Sequence, residues 1–538
     1  MRVKYLINGQ TRYAEKSNKH FELVTKEEGN RTTVTLKAND DIALEEAEQF
    51  VPFNVNYNDL YFLNGYQSWT DTKEFSLHKR LRNIKKSPHI ITHMFAMNKY
   101  GDSTFYKYGI MKMHGYDVFY SKGQYESFIY SVNYKTAYLI VELLKGKKYL
   151  HLISAVKGIK LKKGEEVTIF DYYMFFNFEE GLQSFKTVYP ENIPEKLFGY
   201  TSWYNYYQNI NEEIILRDLE ALDSRFNIFQ IDDGYETFVG DWLDVDPVKF
   251  PNGLKPIVDK IHQKGFKAGL WLAPFVAETK SKLFNEHPDW IRKDEKGKPI
   301  KSGGNWSGQW ALDLDNPEVR QYIEKCLRHY MDMGFDFFKL DFLYAAGLPL
   351  YEGRSRCQMQ YESYRFLRNI LKGKLILGCG ANIINSYGNF DYLRVGPDVS
   401  LIFDDVSYMR LFHRERISTK VTLQNTVYRS FLNKHLFGND PDVFLLRSGN
   451  IKLSFEQRKA LTTINALFGS VLMTSDDIAT YDEEQKKVLD HALAVFKGAK
   501  VDSWKTVDKN HIEVKYHVGN EEHSFTYSVQ KGVLLNAR

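Results

Sequence analysis

The sequence predicts a multidomain protein: an N-terminal antiparallel β-sandwich over residues 1–192, a central (β/α)8 TIM barrel over 193–494 and a small C-terminal β-domain over 495–538. Three observations lead there. Short β-type runs separated by turn clusters fill the first segment; buried-looking strands then alternate with amphipathic helical windows; and β-type runs return at the end.

In the first segment, Thr32-Thr33-Val34-Thr35-Leu36, Ala137-Tyr138-Leu139-Ile140-Val141 and Glu166-Val167-Thr168-Ile169-Phe170 are runs of this kind. Regular turns and few long helical periods point to a sandwich. The texture changes around Pro190 to Pro194. Beyond it the strand candidates are Tyr200 to Trp203, Ile228 to Ile231, Ala268 to Leu272, Phe335 to Asp341, Leu375 to Gly378, Tyr392 to Val395, Leu436 to Asn439 and Val471 to Thr474. Eight strands favour a closed barrel over an open doubly wound sheet, and the length suits a barrel with insertions. Helix signals fall where that scheme needs them: Asn316 and Pro317 read as N-cap and first helical residue ahead of Val319 to Met333, and Gly334 as the stop. The stretch from Pro274 to Asp315, rich in Trp, Gly and charge, is expected to form a loop over one barrel mouth. Val514 to His517 and Ser524 to Val529 make the terminal sheet.

Composition excludes several classes of function. Lys plus Arg number 72 against 68 Asp plus Glu, a net charge of +4, which argues against a nucleic-acid arm or a polybasic membrane patch. The three cysteines, Cys326, Cys357 and Cys379, cannot form a complete disulfide framework and match no zinc spacing, so a reducing, cytoplasmic setting is expected. The start reaches Arg12 and Glu15 without the apolar core of a signal peptide, and no apolar stretch approaches the roughly 18 residues of a membrane span. Aromatic residues make up 15%, which suits sheet packing by default and sugar stacking where a ring reaches a polar rim.

Functional groups of such a barrel sit at the carboxyl ends of its strands, and several candidates end in acid. In Phe337-Phe338-Lys339-Leu340-Asp341, alternation puts Phe337, Lys339 and Asp341 on one face. A buried lysine beside Asp341 keeps the acid ionised, as a nucleophile requires; the bland alternative is a structural ion pair. In Arg394-Val395-Gly396-Pro397-Asp398, Gly-Pro breaks the strand and lifts Asp398 over the rim, where it is either a second catalytic acid or a loop cap. Two acids on separate strands are what glycoside hydrolysis needs, one ionised and one protonated. Asp232 and Asp233 end a third strand and suit vicinal hydroxyls, a metal or an Asx turn. Trp203 and Trp271 fall at the same mouth. No H-x-H, H-E-x-x-H or EF-hand spacing is present. Gly378-Cys379-Gly380 lacks the third glycine of a dinucleotide loop, with Ile383 in its place. Asn439-Asp440-Pro441-Asp442 ends the seventh candidate and reads as structural, near the pocket.

Taken together, the sequence resembles a bacterial α-galactosidase of glycoside hydrolase family 36, of the compact type. The resemblance runs through Asn64-Gly65-Tyr66-Gln67-Ser68-Trp69, Thr201 to Tyr204, Phe229 to Gly234, Asp241 to Leu243, Gly269 to Phe275, Asn285 to Trp290, Phe338 to Phe342, Leu377 to Gly380, Arg394 to Asp398 and Asn439 to Asp442. It implies Asp341 as nucleophile and Asp398 as general acid/base. It implies Asp232 and Asp233 as holders of the galactose O4 and O6 hydroxyls, Lys339, Cys379 and Arg394 on the O2 to O4 side, Trp203 and Trp271 at the pocket wall, and Trp69 as a residue that the N-terminal sandwich sends to the mouth. It also implies hydrolysis of terminal α-galactosides such as melibiose or raffinose, with a small-molecule substrate and no cofactor or metal. The same pocket acting on α-N-acetylgalactosamine, galactosyl transfer, and a non-catalytic sugar-binding protein are the alternatives. The chain is shorter than the large tetrameric members, so their assembly does not carry over.

Overall fold

The computed structural model describes residues 1–78, 99–101, 111–193, 195–348, 353–404 and 414–537. Pro194, within the predicted boundary, lies outside them. Two seven-stranded antiparallel sheets form the N-terminal sandwich. One contains Arg2–Ile7, Ile42–Pro52, Tyr149–Ser154 and Leu139–Leu144; the other contains Arg31–Ala38, Glu166–Phe175, Ser127–Ser131, Val118–Lys122 and Leu60–Leu63. The period-2 alternation of a strand splits the second sheet's side chains between two cores. Tyr61, Phe119 and Ile129 face the first sheet, whereas Phe62, Tyr120, Phe128 and Tyr130 join the barrel core. Burial on both faces explains why these strands are so aromatic.

The central sheet is parallel and runs in the order Gly438–Asp440, Tyr392–Arg394, Leu375–Gly378, Phe337–Leu340, Lys267–Leu272, Ile228–Ile231, Leu197–Thr201, Val471–Thr474, Val443–Phe444. Its two ends are halves of one stretch interrupted at Pro441-Asp442, so the sheet closes on itself as an eight-position barrel. The seventh predicted strand is therefore corrected: it is broken, its first half paired with the sixth strand and its second half with the eighth. Proline has no N–H for the ladder, and Asp442 has a left-handed backbone at φ 74°, so pairing cannot run through. The first strand is also earlier than expected, and Trp203 opens a short helix instead of ending the strand.

Helices cover the barrel as the caps predict. Pro317–Met333 starts at Asn316, whose side chain accepts the Glu318 N–H, and stops at Gly334 in the left-handed conformation. Between Pro274 and Asp315 the expected loop is partly ordered secondary structure. Val276–Glu278, Gln309–Ala311 and Lys301–Gly303 form a three-stranded antiparallel sheet, with the helix Lys282–Glu286 between. Sequence alternation over three residues is too short a signal to find such strands. At the end of the chain, Ala499–Asp508, His511–Val518, Glu521–Ser528 and Val533–Leu535 form an antiparallel sheet. Among the described residues, no helix is long and apolar enough to cross a membrane.

One buried side chain joins the sandwich to the barrel. Arg429, fully buried at the end of the helix Thr419–Tyr428, donates to Asn64 Oδ1 at 3.0 Å and to the carbonyls of Ser68 at 2.7 Å, Gln67 at 3.1 Å and Gly65 at 3.4 Å. It also donates to the Val395 carbonyl at 2.8 Å, just past the sixth barrel strand. Burial first, then the nearby Arg414 charge, push its guanidinium down to about 9. The clasped loop delivers Trp69 to the barrel mouth. Gly380 makes room for it: a Cβ there would lie 2.9 Å from the indole. Arg429→Met is expected to lower unfolding stability by about 3 kcal/mol or more, since it leaves buried carbonyls without donors. Equilibrium urea unfolding measures it, and an unchanged midpoint would show that the loop holds without Arg429.

Candidate active site

A cavity of about 260 Å³ opens at the carboxyl end of the barrel, and its walls include Trp69, Gln309, Asp341, Phe342, Tyr344 and Asp398. Asp341 follows the fourth strand. Its Oδ2 accepts the Trp271 indole N–H at 3.2 Å and its Oδ1 the Phe342 backbone N–H at 2.7 Å. Phe342 adopts a left-handed backbone, φ 54°, which a non-glycine residue holds only when its surroundings impose it.

Asp398 enters from the sixth strand after the Gly396-Pro397 break, as the sequence predicts. Its side chain keeps 37% of its surface open to the cavity, and Arg394 Nη1 reaches it at 3.1 Å. Lost contact with bulk water pushes its carboxyl up; Arg394 pulls it down, and the Asp341 charge pushes it up again.

Lys339 shows a difference from the sequence expectation. Its ammonium pairs with Asp232 Oδ2 at 2.8 Å, and Asp341 acts on it only from farther away. The long side chain reaches across the barrel interior, a distance that strand alternation does not reveal. Burial alone would lower its pKa, but Asp232 first and then Asp341 outweigh that and raise it. Asp232 also accepts from Gln230 at 2.6 Å and Thr201 at 3.1 Å. Asp233 accepts from Gln208 at 3.0 Å and from the Trp306 indole at 2.9 Å.

Of the other predicted residues, Cys379 is buried, and loss of solvent raises its thiol well above the usual range, so it is neutral. Arg394, also buried, is shared among Asp398, Asp440 and Asp442. Trp271 is only 2% exposed, so it acts here as an N–H donor more than as an open stacking face. Trp203 is half-buried against Tyr207 and is not among the described cavity-lining residues. The other nine predicted residues line the cavity or join it through these contacts and charges.

Sequence reasoning missed Trp306, Gln208, Tyr344, Gln309 and Glu236. Trp306 was within reach, since it lies in the stretch assigned to the mouth. Its indole also packs edge-on to Trp271 and Phe342, at 6.2 and 5.2 Å between ring centres. Glu278 holds that loop by accepting the Ser307 N–H at 3.1 Å and hydroxyl at 2.6 Å. Among the described residues, no cluster of His, Cys, Asp and Glu is arranged to hold a metal ion.

Glu236 is buried next to Asp233, and loss of solvent first, then the Asp233 charge, raise its carboxyl well above the ordinary value of 4.5. Its unfolded form ionises near 4.5 while the folded form keeps the proton, so stability falls as pH rises beyond that value. Glu236→Gln removes this cost. The variant is expected to be more stable than wild type at pH 7–8, with the gap closing below about pH 4.5. Thermal melts across pH check the sign, and a constant gap would show that no proton is held there.

The Melibiase family model matches residues 199–370, from the first barrel strand to the helix after the fourth. The curated α-galactosidase Mel36A of Lactobacillus acidophilus is 28% identical over 225 residues, 38% of this chain and 30% of its own. Alpha-galactosidase 2 of Pediococcus pentosaceus is 36% identical over 104 residues, 19% of this chain and 14% of its own. The matches therefore span less than a third of those relatives' length. The structure of TtGalA, an α-galactosidase from Thermus thermophilus in complex with p-nitrophenyl α-D-galactopyranoside, superposes with a TM-score of 0.72 at 25% identity, covering 97% of this chain and 98% of that one. Another structure of that enzyme holds stachyose. In its barrel, its flanking sheets and its core sequence, the chain is similar to the α-galactosidases of the melibiase family.

Proposed function

We propose that the protein is a retaining α-galactosidase that removes terminal, non-reducing α-D-galactosyl residues from oligosaccharides such as melibiose and raffinose. The observation that carries this reading is a pair of aspartates in unlike surroundings on one cavity. Asp341 is aligned by two N–H donors. Asp398 sits where lost solvent and a neighbouring carboxylate favour its protonated form.

Asp341 attacks the anomeric carbon while Asp398 gives its proton to the glycosidic oxygen, so the C–O bond to the leaving group breaks as the bond to Asp341 forms. Asp398, now a carboxylate, takes a proton from water, whose oxygen displaces Asp341 and releases galactose with its α configuration kept. Asp232 and Asp233 accept from the O4 and O6 hydroxyls, which distinguishes galactose from glucose. The Lys339 pairing and the Trp306 and Gln208 donors hold those two acids in place. Arg394 and Cys379 line the O2 to O4 side, and Trp69, Trp271 and Trp203 belong to the wall and its support. The ligands named for the Thermus enzyme support a galactoside as substrate. A cytoplasmic setting suits the three buried free thiols.

The test compares wild type with Asp341→Gly and Asp398→Ala on aryl α-galactosides, with azide as external nucleophile. Asp398→Ala is expected to lose about 10² to 10⁴-fold on a poor leaving group. Azide should yield the β-galactosyl azide from Asp341→Gly and the α-galactosyl azide from Asp398→Ala. Unchanged activity in either variant overturns the assignment. On a panel of aryl α-glycosides, a preference for the glucoside would contradict the roles of Asp232 and Asp233.

A further inference from the structure

The break in the seventh barrel strand places Asp442 where it has no ladder to serve. The residue is 1% exposed and holds a left-handed backbone, φ 74°. Its carboxylate has two hydrogen bonds, both at Oδ2, and one ion pair at Oδ1. Oδ2 accepts the Val399 N–H at 2.7 Å and the Tyr204 hydroxyl at 2.5 Å, and Oδ1 lies 2.8 Å from Arg394 Nη2. Two of these three ties lead to Asp398. Val399 is the next residue in the chain, and Arg394 donates from its other terminal nitrogen to Asp398. Asp440 completes the set, taking Arg394 Nε at 3.0 Å and the Asp442 N–H at 2.8 Å.

We propose that Asp442 is a positioning residue for Asp398: it pins the backbone that carries Asp398 and takes up part of the Arg394 charge, so that Asp398 can hold its proton. This rests on the reading of Asp398 as the general acid/base. A buried guanidinium paired with Asp398 alone would keep it ionised and useless as an acid. Divided among three carboxylates, the same guanidinium orients Asp398 while its field is spent mostly on Asp440 and Asp442.

The charges around Asp398 are Arg394 and Lys339, which favour its ionised form, and Asp341 and Asp232, which oppose it. Tyr204, Tyr207, Cys379 and Asp442 face it as well. Asp442 itself faces Arg394, Asp398, Asp440 and Tyr204; burial pushes its carboxyl up, and the Arg394 ion pair pulls it down.

Asp442→Asn keeps the shape and a carbonyl oxygen for Val399 and Tyr204 but removes the charge. Asp398 then faces more of the Arg394 field and becomes a stronger acid. Because the acid must be protonated to act, the alkaline limb of kcat/KM against pH moves to lower pH. The expected shift is about one unit, about a tenfold loss above the limb on an aryl α-galactoside with a poor leaving group, while the acidic limb stays. A dinitrophenyl α-galactoside, which departs with little protonation, should lose far less. An unmoved alkaline limb overturns the proposal, even if the thermal midpoint falls, because that marks a merely structural residue. If Asp442→Asn does not fold, Tyr204→Phe decides: it removes one donor to the Asp442 carboxylate, so the limb should move the same way by less, and no movement overturns the proposal. Failure of the underlying reading looks different, since Asp398→Ala would then treat both leaving groups alike.

Discussion

Arg394 and Lys339, 3% and 5% exposed, are cations buried among the acids that surround the cavity at the carboxyl end of the barrel. Asp232, Asp398, Asp440 and Asp442 pair with them directly, and Asp341 stands within their field. Like charges taken out of water repel strongly, and a group that cannot be compensated takes up a proton instead. The barrel applies both outcomes in one place. Asp232 has Lys339 to itself, Asp398 shares Arg394 with two other acids, and Glu236 retains its proton. The unequal division lets two chemically identical side chains on one cavity serve as nucleophile and acid in the proposed mechanism.

Backbone geometry around the cavity carries a related cost. Tyr207, Trp306, Phe342 and Asp442 all adopt positive φ, from 50° to 74°, without being glycine. Each is held by its neighbours. The Tyr207 N–H binds the Trp203 carbonyl, the Trp306 indole binds Asp233, the Phe342 N–H binds Asp341, and the Asp442 carboxylate takes two hydrogen bonds and an ion pair with Arg394. Strain of this kind persists only where surrounding contacts over-determine it, and it lets loops aim polar groups that regular strands would point elsewhere.

The cavity also depends on a residue remote from its chemistry. Arg429 binds four positions of the loop that carries Trp69 and the carbonyl of Val395, three residues before Asp398. The sandwich and the barrel therefore share one buried clasp, and Trp69 and Asp398 are registered against each other through it. Five donors in a planar fork suit this task, and no other side chain offers them.

Much of the architecture was legible in the sequence because it is written in local patterns. Barrel strands are short apolar runs bounded by helix caps, so seven of the eight could be placed from alternation and from signals such as Asn316, Pro317 and Gly334. Asp341, Asp398, Asp232 and Asp233 were legible because acids at strand ends have no packing reason to be there. Local patterns along the chain are enough to order its elements and to gather a set of acids at one barrel mouth. Only the tertiary structure decided which cation meets which acid: Lys339 meets Asp232, 107 residues away, and Arg394 is shared with Asp440 and Asp442. Only it revealed the broken seventh strand, the Trp306 loop and the Arg429 clasp. The reason is physical. Periodicity and capping act over a few residues, whereas ion pairing depends on distances of a few ångströms between side chains far apart in the chain, and closing the barrel sets those distances.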